Sequence, residues 1–183
     1  MIGLGGVVPP TTVQINPEAD SFVQSYYGTT NYGSLTYFGA GVTQAPNKVR
    51  AFLRFDLTSI PAGKTISDAK LYMSVWSIWG TVADQRKYDL HFVSDDTWGE
   101  LTITSNNQPT RGAALISATQ ISTTGWKNYS ITTQVKTEYE GDGKISLCWD
   151  DNPENTAKYE GFYAYSKDHP TSTNWPYLEV TYS

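Results

Sequence analysis

The chain has 183 residues, a formal net charge of -5 and a sequence pI near 4.9. An acidic balance of that size repels polyphosphate, so nucleic acid is not an expected partner. One cysteine excludes an intramolecular disulfide and a cysteine-based zinc site, and no run approaches the ~20 apolar residues of a membrane span.

Residues 1–17 read as a Gly- and Pro-rich arm with a first strand at "TTVQI", and residues 18–183 as a single domain. The start "MIGLGGVVPP" lacks the basic end and apolar length of a signal peptide, so an exported parent is expected to contribute this chain as a mature fragment or module. "DSFVQSYY" reads as a short strand and leads into the Gly/Asn-rich loop "GTTNYGSLTYFGAGV", crowded with tyrosines.

In "RAFLRFDL", Ala51, Leu53, Phe55 and Leu57 alternate with Arg50, Phe52, Arg54 and Asp56, the period-2 pattern of a half-buried strand. After the turn "TSIPAGKTISD", "AKLYMSVWSIW" alternates again, placing Ala69, Leu71, Met73 and Val75 inward and Lys70, Tyr72, Ser74 and Trp76 outward. Further strands are expected at "YDLHFV", "ALISATQI", "WKNYSI", "KISLCW", "GFYAYS" and "YLEVTY". "TTQVKTEYEGDGK" is the one segment with helical spacing, with Thr132 or Thr133 as its cap and Gly141 or Gly143 as its stop.

Nine or ten short strands and one short helix predict an all-β fold, an antiparallel β-sandwich of jelly-roll type. The abundance of Tyr and Trp (13 and 6) with only 17% charged residues matches secreted all-β proteins.

The order of motifs "ADSFV", "TNYGS", "FLRFDLTSIPAGKTISDAKLYM", "DTWGELTITSNNQP" and "YSKDHP…WPYLEVTY" resembles the DNRLRE domain. That domain is grouped with family 96 carbohydrate-binding modules and includes the disaggregatase-related repeats of methanogenic archaea. The resemblance runs from about Glu18 to Tyr182 and is most specific in "FDLTSIPAGKTISDAKL". It implies a non-catalytic module that binds an extracellular or cell-wall polysaccharide, with uronate polymers as ligands of some members, inside a larger secreted or surface protein. The family's Ser-Arg-Glu signature is Ser166-Lys167-Asp168 here, and Lys48 is the first lysine of the chain. The alternative is an interaction or spacer module of a surface protein that binds no glycan.

Sugar recognition calls for flat aromatic faces plus planar polar groups, and uronates add a demand for Arg or Lys. Arg50, Arg54, Lys70, Tyr72 and Trp76 are therefore expected to line one shallow groove, with Tyr27 and Tyr32 of the tyrosine loop and Lys167 as further contacts. The plainer readings are a surface ion pair for Arg54, and loop packing for Trp98 with Glu100 satisfying backbone donors. Structural calcium is the one expected cofactor: "DDNPEN" gathers Asp150, Asp151, Glu154 and Asn155, while Asp20 and Asn31 form a second candidate pair. No catalytic residue is expected, because His91 and His169 lie far apart and no nucleophile elbow occurs.

Overall fold

A computed structural model of the chain describes residues 9–43, 47–80, 87–154 and 159–183. Residues 1–8 of the expected arm and Asn155 of the acidic run lie outside them. The strands are β1 (Thr11–Ile15), β2 (Ala19–Gln24), β3 (Tyr37–Val42), β4 (Lys48–Asp56), β5 (Ile66–Gly80), β6 (Lys87–Val93), β7 (Ala114–Gln120), β8 (Gly125–Ser130), β9 (Lys144–Asp151), β10 (Glu160–Tyr165) and β11 (Tyr177–Tyr182). One helix, α1 (Thr132–Glu140), stands between β8 and β9. Among the described residues no helix is long and apolar enough to cross a membrane.

All strand pairings are antiparallel, and they form one path, β1-β11-β5-β10-β3-β4-β9-β6-β7, with β2 added to β4 and β8 to β5. The path bends sharply at β3, which joins β4 at only two positions, Gly41 with Val49 and Val42 with Lys48. The result is a curled sandwich with two layers. A front layer holds β8, β5, β11, β1, β10 and β3, and a back layer holds β2, β4, β9, β6 and β7. Their inner faces meet through aromatic side chains: Trp149 of β9 lies 4.8 Å from Tyr129 of β8 and 6.1 Å from Phe162 of β10, and Tyr88 of β6 lies 5.0 Å from Phe162. The fold is thus the all-β, jelly-roll-like sandwich that the strand pattern predicts.

Alternation decides which residues fill the space between the layers. Ala51, Leu53 and Phe55 of β4 and Ala69, Leu71, Met73 and Val75 of β5 are fully buried there. Burial of each large member contributes about 1.5–3 kcal/mol.

The back layer is also covered on its outer side. Phe52 points away from the main core yet is fully buried, in a second cluster with Ala19, Val23, Val93, Trp98, Ile103 and Cys148. The chain from β6 to β7 lies over this face, anchored by Trp98, whose indole N–H donates to the Ser146 hydroxyl at 3.0 Å. Strand β4 is therefore buried on both faces, and its arginines lie beneath that connection.

Two local expectations differ from the structure. β3 arises from "YFGAGV", inside the segment read as a loop, because Phe38, Ala40 and Val42 turn inward while Tyr37, Gly39 and Gly41 turn out. Helix α1 begins after Ile131 without a side-chain cap, since the Thr132 hydroxyl is taken by the backbone N–H of Ala69 at 2.9 Å.

Candidate functional site

The outer face of the front layer carries rings from five of its strands. Along β5, Tyr72 and Trp76 point outward, as the alternation predicts, and Trp76 is 43% exposed. Trp76 sits at a break in the β5–β10 register, where Val75 pairs with Ala164 and Ser77 with Tyr163, so its side chain is the extra one on the outer surface.

Two groups of rings form on this face. In the first, Trp76 lies 5.9 Å from Tyr163 and 6.1 Å from Tyr165, with planes within 17° and 25° of parallel, and Trp79 lies 4.3 Å from Tyr163. Tyr37 of β3 meets both Trp76 and Tyr163 edge-on. In the second, Tyr72 stacks on Tyr177 of β11 at 4.8 Å and 9°, and Trp126 of β8, 44% exposed, stands 5.6 Å from Tyr177. Trp76 stands four positions beyond Tyr72, roughly 13 Å along a strand, and Trp126 pairs with Ser74 between them.

Two glycines let the first group lie low on the sheet. Gly161 is the register partner of Trp79, and a Cβ on it would overlap the indole. Gly39 is the partner of Tyr163, and a Cβ there would come 2.6 Å from the ring carbon Cδ1. With hydrogen in place of a side chain, each ring can lie across its neighbour's backbone instead of standing off it.

Polar groups border the rings. Lys70 donates to Asp68 at 2.7 Å, and the Tyr72 hydroxyl donates to Glu179 at 3.4 Å. His169 packs on Tyr165 with centroids 4.2 Å apart, and its carbonyl accepts the Trp175 indole N–H at 2.7 Å.

The expected groove of Arg50, Arg54, Lys70, Tyr72 and Trp76 is not one surface. Lys70, Tyr72 and Trp76 share the front face; Arg50 and Arg54 belong to the back layer, under the β6–β7 connection. Arg50 donates to both oxygens of Glu154, at 2.6 and 2.7 Å, and to Gln108 at 3.0 Å. Lys48 and Arg111 join the same carboxylate, each at 3.1 Å. Burial opposes ionisation of Glu154, but the guanidinium groups of Arg50 and Arg111 outweigh it and hold its pKa at about 2. Arg54 donates to the carbonyls of Asp96 and Trp98 and to Glu18, and its guanidinium lies 4.9 Å from the centroid of the Trp98 ring. Both arginines fasten the connection to the layer beneath it.

The remaining expected contacts scatter. Tyr27 is 51% exposed in a single 3-10 turn after β2, edge-on to Tyr26. Tyr32 stacks on the core residue Phe22 at 4.5 Å and 12°. Lys167 pairs with Glu100 at 3.0 Å and with Asp168 at 3.4 Å.

The expected metal residues lie in two places. Asp20 is buried, and one of its oxygens accepts the backbone N–H of Lys167 at 2.7 Å; burial pushes its carboxyl up to about 7. Asn31 instead donates to the carbonyls of Glu100 and Ile103, and the carboxylates that approach Asp20 are Glu100 and Asp168. Asp150 and Asp151 are consecutive in β9 and so face opposite ways. Asp150 gathers with Asp89 and His91 on the back layer. Lys167 and Arg111 supply positive charge inside the two groupings.

The groove expected from the sequence includes Tyr72, Trp76 and Lys70 of this face but not Trp126, Tyr163, Tyr165 or Tyr177. Their signal was present in the same alternation: Phe162 and Ala164 turn inward between the two tyrosines of "FYAY", and Leu178 turns inward after Tyr177.

The model of carbohydrate-binding module family 96 matches residues 11–182, nearly the whole chain. The protein belongs to this family. No curated protein matches it. Carbohydrate-binding module families are generally non-catalytic. The family-96 match starts at Thr11, which makes β1, paired along its length with β11, part of the module.

Proposed function

We propose that this family-96 module binds an extracellular or cell-wall polysaccharide without cleaving it, and that the outer face of the front layer is its binding surface. The observation that supports this is the exposure of Trp76 and Trp126 in two ring groups on one face. Sugar rings present C–H groups on one side, and an indole or phenol ring removes that side from water at little entropy cost. Hydroxyl groups at the sugar's edge find partners in the outward Asn128 and the tyrosine hydroxyls. In this reading the module is part of a secreted or surface protein and holds its other domains to the polymer.

A pull-down of the protein on a panel of insoluble polysaccharides, followed by analysis of the supernatant for new sugar ends, tests the proposal. Retention without new ends is the expected result. Released products would make the module an enzyme, and absence of retention on every polymer would favour a spacer without glycan binding.

A further inference from the structure

We infer that the polymer taken by this face is an uncharged polysaccharide, bound as an extended run of several sugars. The inference rests on the reading of the front face as the glycan-binding surface and adds the chemistry of the ligand.

Its first support is the charge on the face. Among the described outward positions of the front-layer strands, the only charged groups are Asp68, Lys70 and Glu179, which leaves a net charge of -1 from one cation and two carboxylates. That cation is already held by Asp68 at 2.7 Å. Recognition of uronate carboxylates or sulfate esters needs a positive group free to pair, best a planar guanidinium. Arg50, Arg54 and Arg111 are on the back layer, each bound to a carboxylate, and Lys167 is tied to Glu100. Lys127 of β8 is the register partner of the inward Met73 and donates to the Thr123 hydroxyl at 2.8 Å. An acidic polymer laid on the rings would therefore approach Glu179 with no unpaired cation at the described outward strand positions, against the field of a chain with net charge -5.

The second support is the arrangement of the rings. The near-parallel planes of Trp76, Tyr163 and Tyr165 offer successive stacking surfaces, which suit the C–H-rich side of an extended hexose chain. Tyr72 and Tyr177 lie roughly 13 Å further along β5 from Trp76, with Trp126 opposite Ser74 between them, so one chain can engage all of these rings only if it spans several sugars. Linked contacts of this kind make affinity rise with chain length, because the second group binds at high effective concentration once the first is engaged.

Affinity electrophoresis of the intact protein tests the inference. Gels contain a soluble neutral polymer (hydroxyethyl cellulose, galactomannan or xyloglucan) or an acidic one (alginate or polygalacturonate), at low and high salt. The expected result is retardation by a neutral polymer, unchanged by salt, and weakened at least about tenfold in both Trp76→Ala and Trp126→Ala. A neutral hexasaccharide should bind more tightly than the disaccharide of the same series. Salt-sensitive retardation by alginate or polygalacturonate that Trp76→Ala abolishes would overturn the inference while keeping the face as the site. Retardation indifferent to both substitutions would overturn the face itself, and the inference with it. Trp76→Phe keeps an aromatic ring and should retain most of the binding, which separates lost stacking from a disturbed sheet.

Discussion

The indole of Trp79 lies across the backbone of Gly161, its partner in the β5–β10 register, in space that any Cβ would occupy. Trp79 in turn stands 4.3 Å from Tyr163, which lies 5.9 Å from Trp76, so one missing side chain sets the height of three rings. Gly161→Ala should lift Trp79 and tilt Tyr163. We expect a stability loss of about 1–3 kcal/mol, as for other overpacked sites. The near-ultraviolet circular dichroism should change, and polysaccharide affinity should fall although no exposed ring has been removed. An unchanged spectrum and affinity would mean that the platform does not depend on this close approach.

Arg54 separates the two faces by experiment. It clamps the carbonyls of Asp96 and Trp98 and pairs with Glu18, all on the side away from Trp76. Arg54→Ala should lower stability by about 1–3 kcal/mol, since two buried acceptors lose a charged donor. Binding of any polysaccharide retained by the wild type should stay within about twofold. Titration of the folded variant checks this, and a loss of binding as deep as that of Trp76→Ala would return Arg54 to the site.

Glu154 gives the fold a dependence on acid. Its carboxyl has a pKa of about 2 in the folded state, below the ordinary carboxylate value, because Arg50 and Arg111 outweigh the effect of burial. The folded state therefore binds this proton more weakly than the unfolded chain. The stabilisation is fully present above the unfolded pKa and is lost as pH falls through about 2, amounting to about 3 kcal/mol at most. Glu154→Gln should lower stability at neutral pH and flatten its decline between about pH 5 and 2. Denaturant titrations of both proteins across that range provide the check, and parallel pH curves would contradict the assignment.

Phe52 tests the second cluster. It is fully buried against Trp98 with ring centroids 5.9 Å apart, although alternation assigns it to the wet side of β4. Phe52→Ala should cost about 3–5 kcal/mol, the range for a buried aromatic, and hydrogen exchange should accelerate first in residues 95–112. A loss below about 1 kcal/mol, the scale of a surface change, would contradict the burial.

The same residue shows where sequence reading stops. Alternation within "RAFLRFDL" and "AKLYMSVW" correctly sorts inward from outward, because a strand's side-chain period is fixed by its own geometry. It says nothing about which layer a strand joins or what later covers it, for those depend on pairings between residues far apart in the chain. Arg50 and Lys70 thus read as neighbours on one groove, whereas β4 and β5 lie in different layers and the β6–β7 connection covers the arginines. β3 was hidden for a related reason: Gly39 and Gly41 depress strand propensity, yet Gly39 is where the Tyr163 ring needs backbone without a side chain. Asp150 and Asp151, neighbours in sequence, face opposite ways in β9 because the side-chain period of a strand is two, and the groups near each come from distant parts of the chain.

Tryptophan fluorescence during polysaccharide titration tests the central claim most directly. Trp76 and Trp126 are more than 40% exposed, while Trp98 and Trp149 are buried, so ligand on the front face should alter the emission of the first pair against a constant background from the second. The account predicts a saturable blue shift with a neutral polysaccharide that falls by more than half in the double variant Trp76→Phe, Trp126→Phe, with Trp79 of the same ring group supplying the remainder. A shift of wild-type size in the double variant would place the ligand elsewhere and contradict the account.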